Sequence, residues 1–168
     1  MKPSIDQTDE QSDDRSNDAQ QAEEVLVRLM ARREHSAQEL RQKLKQRGFD
    51  HNVVELVLEK AQQQGWQSDQ RFAQVWVRTC IARGDGARKI NAQAQQKGLS
   101  SELIQQALAA EQPNWSDACF ERLLRKFGEQ PPQDQKQRDK IMRHLLQRGF
   151  SFDEIKRALE RQRQGDAD

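Results

Sequence analysis

His35, His51 and His144 are the three imidazoles of the chain, and no two stand at the H-x-x-x-H or H-x-x-E-H spacing that puts two metal ligands on one helix face. His35 reads as a residue ending the first helix and His51 as one beginning the third, both at the surface. Carboxylates are interleaved with cations, as in Glu39 with Lys43 and Asp139 with Arg143 at i, i+4. That spacing suits solvated helix pairs better than a general acid and base. Gly84-Asp85-Gly86 has the look of a phosphate loop. It lacks the G-x-x-x-x-G-K-[ST] spacing and follows a helix, so it reads as the loop that starts another helix. Cys80 and Cys119 are far apart and sit in apolar helical patterns, as buried thiols do. These residues imply a protein that is not an enzyme and has no cofactor and no metal.

The remaining chemistry is cationic. Arg41, Lys43, Lys45 and Arg47 form one basic group, and Arg83, Arg88 and Lys89 a second. Lys136, Arg138, Lys140, Arg143 and Arg148 form a third. A solvated helix face accounts for such groups, but their recurrence on second helices also fits an acidic or nucleic-acid-bearing partner. The first two groups, Arg41, Lys43, Lys45, Arg47, Arg83, Arg88 and Lys89, are the candidate partner-binding residues.

The elements that must position them are written in a repeat. KLKQRGFDHNVVELVLE from Lys43, QAQQKGLSSELIQQALA from Gln93 and HLLQRGFSFDEIKRALE from His144 align with Gly48, Gly98 and Gly149 in register. Each glycine suits a left-handed residue after a helix, and the apolar pairs Leu44 with Phe49, Ala94 with Leu99 and Leu145 with Phe150 suit a Schellman ending. Asp50, Ser100 and Ser151 follow as N-caps, and Ser36 with Glu39 and Ser151 with Glu154 spell capping boxes. Each unit is three helices. Trp76 reads as core, and Trp66 and Trp115 as wedges at junctions.

The spacing therefore predicts an all-α fold, three tandem three-helix repeats forming an elongated, curved array. Its segments are 22–66, 67–112 and 113–164. Residues 1–21 carry six acids against Lys2 and Arg15, net −4, which leaves +5 on the remainder. With almost no apolar residues, this tail is expected to be disordered, as are residues 165–168. No apolar run is long enough to span a bilayer and no signal segment is evident, so the expectation is a cytoplasmic monomer without membrane contact.

Three motifs in order resemble a known family. Gly65-Trp66-Gln67-Ser68-Asp69-Gln70-Arg71-Phe72-Ala73 is similar to the G-[YFW]-[LI]-[DS]-D-x-[RK]-[FY]-[AV] signature of the RecX family. Arg33-Glu34-His35-Ser36 with Glu39-Leu40 and Lys43-Leu44 resembles its opening motif, and Arg83-Gly84-Asp85-Gly86-Ala87-Arg88-Lys89-Ile90 its central R-x-G-P-x-[RK]-[IL] element. Gln67 departs from the pattern where an apolar residue is usual, and Ala87 where proline is. The resemblance implies a crescent of three-helix repeats lodged in the groove of a RecA recombinase filament on single-stranded DNA, restraining ATP hydrolysis, strand exchange and co-protease activity. Recombination, DNA repair and the SOS response would be modulated accordingly. The alternative from the residues alone is a direct DNA-binding protein built from helix-turn-helix-like units. The mild net charge argues for weak direct DNA contact.

Overall fold

A computed structural model describes the backbone of residues 8–165 and the side chains of residues 15–165. Nine helices are present among the described residues, in three sets of three: α1 (Thr8–Met30), α2 (Ala37–Gln46), α3 (His51–Gln63); α4 (Asp69–Ala82), α5 (Ala87–Gln96), α6 (Ser101–Glu111); α7 (Trp115–Phe127), α8 (Gln135–Gln147), α9 (Phe152–Gln164). The chain divides into two compact units, Met1–Phe72 and Ala73–Asp168.

Local rules account for the helix ends. Gly48, Gly98 and Gly149 take φ of 90, 72 and 91°. At each, the following residue's N–H reaches back to the C3 carbonyl: Phe49 to Leu44 at 3.3 Å, Leu99 to Ala94 at 3.1 Å, Phe150 to Leu145 at 3.2 Å. The glycine N–H bonds to the C2 carbonyl in the same three places, which completes the Schellman pattern. Asp50, Ser100 and Ser151 then cap α3, α6 and α9 through their side chains, and Ser151 with Glu154 makes both bonds of a capping box.

In the first unit the apolar stripes of α1, α2 and α3 meet in one core that includes Leu26, Leu40, Leu44, Val54 and Leu58. In the second unit, α7, α8 and α9 bury Phe120, Leu123, Ile141, Leu145, Phe150 and Ile155 together. Burial of such side chains contributes roughly 1.5–3 kcal/mol each.

The expectation of a disordered 1–21 does not hold over residues 8–21. α1 begins at Thr8, and Ala19 already packs against the core. Once Ala22 and Leu26 anchor a helix, extending it backwards adds one bond per ordered residue. Residues 1–7 and 166–168 of the two expected tails lie outside the described residues. Trp76, expected in the core, is only half-buried on α4, where Ala73, Val77 and Cys80 fill the interior.

Candidate functional site

In the first unit, Arg41, Lys43, Lys45 and Arg47 all lie on α2 or at its C-cap. Arg41 is committed within the chain. Its Nε and Nη2 donate to the two carboxylate oxygens of Glu55 on α3 at 2.6 and 3.0 Å. This fork raises the guanidinium's pKa and lowers the carboxyl's. Lys43, Lys45 and Arg47 have no ion pair among the described residues, and Arg47 donates to the Lys43 carbonyl at 2.8 Å. Glu39, placed by spacing opposite Lys43, instead pairs with Arg33 at 3.0 Å. Nor does Asp139 reach Arg143; it accepts from Gln135 Nε2 at 2.7 Å. Other partners outcompete both expected i, i+4 pairs.

The family-like signature explains itself in the same unit. Asp69 Oδ1 accepts the Ala37 N–H at 2.8 Å, so the start of α4 caps α2. Gln67, the polar departure, is 3% exposed. Its Nε2 donates to Asp69 Oδ1 at 2.9 Å and to the His35 carbonyl at 3.3 Å, and its Oε1 accepts from Gln62 at 3.0 Å. Arg71 bonds Glu34 and the carbonyls of Gly65 and Trp66. His35 is not a surface residue: it is 3% exposed, with Nδ1 3.0 Å from the Arg33 carbonyl. Burial lowers its pKa below 6.5.

In the second unit, Arg83 and Lys89 converge on Asp85, whose side chain is fully buried. Arg83 Nε lies at 2.7 Å, Lys89 Nζ at 3.0 Å, and Arg148, from the end of α8, at 2.9 Å. Burial pushes the carboxyl up, but the Lys89 and Arg83 hydrogen bonds and the Arg148 charge outweigh it and hold Asp85 below its ordinary value. Arg148 also donates to the carbonyls of Arg83 at 2.8 Å and Gly84 at 3.3 Å. Arg88 is not drawn into this cluster and has no carboxylate partner among the described residues. The phosphate-loop look of Gly84-Asp85-Gly86 thus resolves into a buried anion held by three cations. Sequence reading misses Asp85 because its partner Arg148 is sixty-three positions away (148 − 85).

The same turn is a helix-to-helix junction. The N–H groups of Gly86 and Arg88, at the start of α5, donate to the carbonyls of Arg148 and Gly149 at 2.7 and 3.2 Å. Orphan donors of one helix end thereby meet orphan acceptors of another. A Cβ at Gly86 would lie 2.5 Å from the Gly149 carbonyl carbon and oxygen. Ala87 is the first residue of α5, a position where proline also fits.

Among the described residues, no group of His, Cys, Asp and Glu could hold a metal ion, and no helix is long and apolar enough to cross a membrane. Burial pushes the Cys119 thiol up to about 12 and raises Cys80 as well, which leaves both as poor nucleophiles.

Three tandem three-helix units bearing helix-borne cations define an all-helical repeat protein with basic surfaces. Family models agree unit by unit: RecX, first three-helix domain, matches residues 19–60, the second 68–108 and the third 116–159. The chain belongs to the RecX family. Similar relatives are each named regulatory protein RecX, a name that denotes no enzyme. That of Chromohalobacter salexigens is 37% identical over 133 residues, 79% of this chain and 87% of the relative. That of Legionella pneumophila is 39% identical over 134 residues, 80% and 89% of the two chains. The crystal structure of RecX from Lactobacillus salivarius superposes with a TM-score of 0.69 at 18% identity, covering 86% of this chain and 96% of that one. A second crystal structure, of regulatory protein RecX, gives 0.77 at 22% identity, covering 96% and 81%. At these identities the two structures speak to the fold.

Proposed function

We propose that this chain regulates a RecA recombinase, binding its filament on single-stranded DNA along the helical groove. There it restrains ATP hydrolysis, strand exchange and co-protease activity, and so modulates recombination, DNA repair and the SOS response. The observation that carries the reading is the succession of all three RecX units in family order along one chain. The basic helices supply the means. Lys43, Lys45, Arg47 and Arg88, cations without a carboxylate partner among the described residues, make the contacts. Arg41, Arg83 and Lys89 present what remains of their donors from positions fixed by Glu55 and Asp85.

The test is ATP hydrolysis by the cognate recombinase on single-stranded DNA, titrated with this protein. Inhibition well below one copy per recombinase protomer is expected. The pair of changes Lys43→Glu and Arg47→Glu, at the C-terminal end of α2, raises the half-inhibitory concentration on the order of tenfold, about 1.4 kcal/mol. No inhibition at excess would sink the reading; unchanged inhibition by the double variant would move the contact to another face.

A further inference from the structure

In the second unit the single charge of buried Asp85 is shared by Arg83, Lys89 and Arg148, so it cannot balance all the cations gathered there. Arg122 on α7 lays its aliphatic stem across Gly84, with Cδ 3.2 Å from where a Cβ would stand. Its Nε donates to Nε2 of His144 on α8 at 3.3 Å. That bond requires the imidazole to be neutral and to accept, which leaves both Nη groups of Arg122 without an acceptor among the described residues. Phe127 meets the ring edge-on, with centroids 5.4 Å apart. Half-buried His144 is therefore fixed in place.

Cations dominate the field at this point. Burial lowers the His144 pKa, and the charges of Arg122, Arg148, Lys126 and Lys89 lower it further. Arg122 itself is lowered by burial and then by Arg148 and Arg125; Asp85 is the one acid acting on it. Asp85 is fully buried beneath Arg83, Lys89 and Arg148, so a ligand arriving from solvent meets the cations. Self-repelling cations held together by the fold form an anion site.

We propose that Arg122, Lys126 and Arg148, gathered around His144 with Lys89, form a binding site for the phosphodiester backbone of single-stranded DNA. A carboxylate offers two coplanar oxygens and suits one guanidinium fork. A phosphodiester chain offers a succession of oxyanions, which matches cations spread over α5, α7 and the end of α8 and continuing to Arg125, which has no carboxylate partner among the described residues. Binding through phosphates is insensitive to base sequence and sensitive to salt. This goes beyond the filament reading and is tested without a recombinase, so either can fail alone.

The experiment follows the three histidine rings of the full chain by NMR through a pH titration, with and without a short oligodeoxythymidylate. An arriving phosphate relieves the repulsion at His144, so its pKa rises on binding. In anisotropy measurements on the labelled oligonucleotide, Arg122→Gln weakens binding on the order of tenfold at low salt. It also lowers the slope of log affinity against log salt by about 0.7. Arg78→Gln removes the same charge from a residue already paired with Glu111 and leaves binding unchanged. Should the Arg122 variant fail to fold, Lys126→Gln, on an exposed side chain, carries the same expectation. No binding of the oligonucleotide, equal losses in the Arg78 and Arg122 or Lys126 variants, or an equal rise of the His144 pKa with polyglutamate would each overturn the proposal.

Discussion

Asp85 is the residue on which most of the second unit's internal charge depends. Replacing it with Asn leaves Arg83, Lys89 and Arg148 facing one another with no anion. Breaking a buried pair in this way costs roughly 3–5 kcal/mol, to be measured by urea denaturation at neutral pH. The wild-type pH dependence follows from the direction of the shift. A carboxyl held below 3.8 contributes stability that is present above that value and is lost as the pH falls through the lower folded one. Asp85→Asn should therefore remove part of the acid sensitivity, and an unchanged acid limb would count against the assignment. His35 and His144 act in a higher window. Both are lowered from 6.5, first by burial. The unfolded chain then takes up protons that the folded one refuses, so stability should decline as the pH drops through about 6.5. A double His35→Gln, His144→Gln variant should show a flatter urea midpoint between about pH 7 and 5; a profile as steep as that of the wild type would rule out these two rings as its origin.

At the scale of elements, what is legible in the sequence is what is local. The Schellman glycines, their C3 partners and the following caps lie within six residues of one another, and spacing alone marks each of them at the place where the hydrogen bonds form. What depends on distant chain is not legible. His35 is buried where Gln67, thirty-two positions on, hydrogen-bonds its carbonyl. Arg41 looks like a free surface cation because nothing local marks Glu55 as its partner. Gly86 is the sharpest case. As the N-cap of α5 it occupies a position where Ser or Asp is ordinarily better, so local rules predict that Gly86→Ser stabilises the helix. The α8 terminus reverses that sign: a Cβ would stand 2.5 Å from the Gly149 backbone. We expect a loss of roughly 1–3 kcal/mol, read from the denaturation midpoint; a gain would mean that the α5 and α8 ends do not meet as described.

For the molecule as a whole, the near-neutral total conceals charges arranged along the chain. Residues 1–18 carry six acids and two bases, so removing them takes the formal charge from +1 to +5. The first RecX domain begins at residue 19, Ala19 packs on the core, and the side chains of Arg15, Ser16, Asn17 and Asp18 are exposed. The polar start of α1 thus hangs on a helix that the core has already nucleated, which is why composition alone marks it as disordered. Deleting residues 1–18 should change stability by no more than about 0.5 kcal/mol, as surface changes ordinarily do. It should at the same time strengthen binding to single-stranded DNA at low salt, because four fewer net negative charges repel the phosphates. Ionic strength separates this long-range contribution from a contact: over a Debye length of about 8 Å at physiological salt, the gain from truncation should fade, while the loss from Arg122→Gln should persist as a change of slope. A drop of several kcal/mol in stability would instead make the first turns of α1 part of the folded core, and an affinity unmoved at low salt would leave the acidic segment without influence on the basic surfaces.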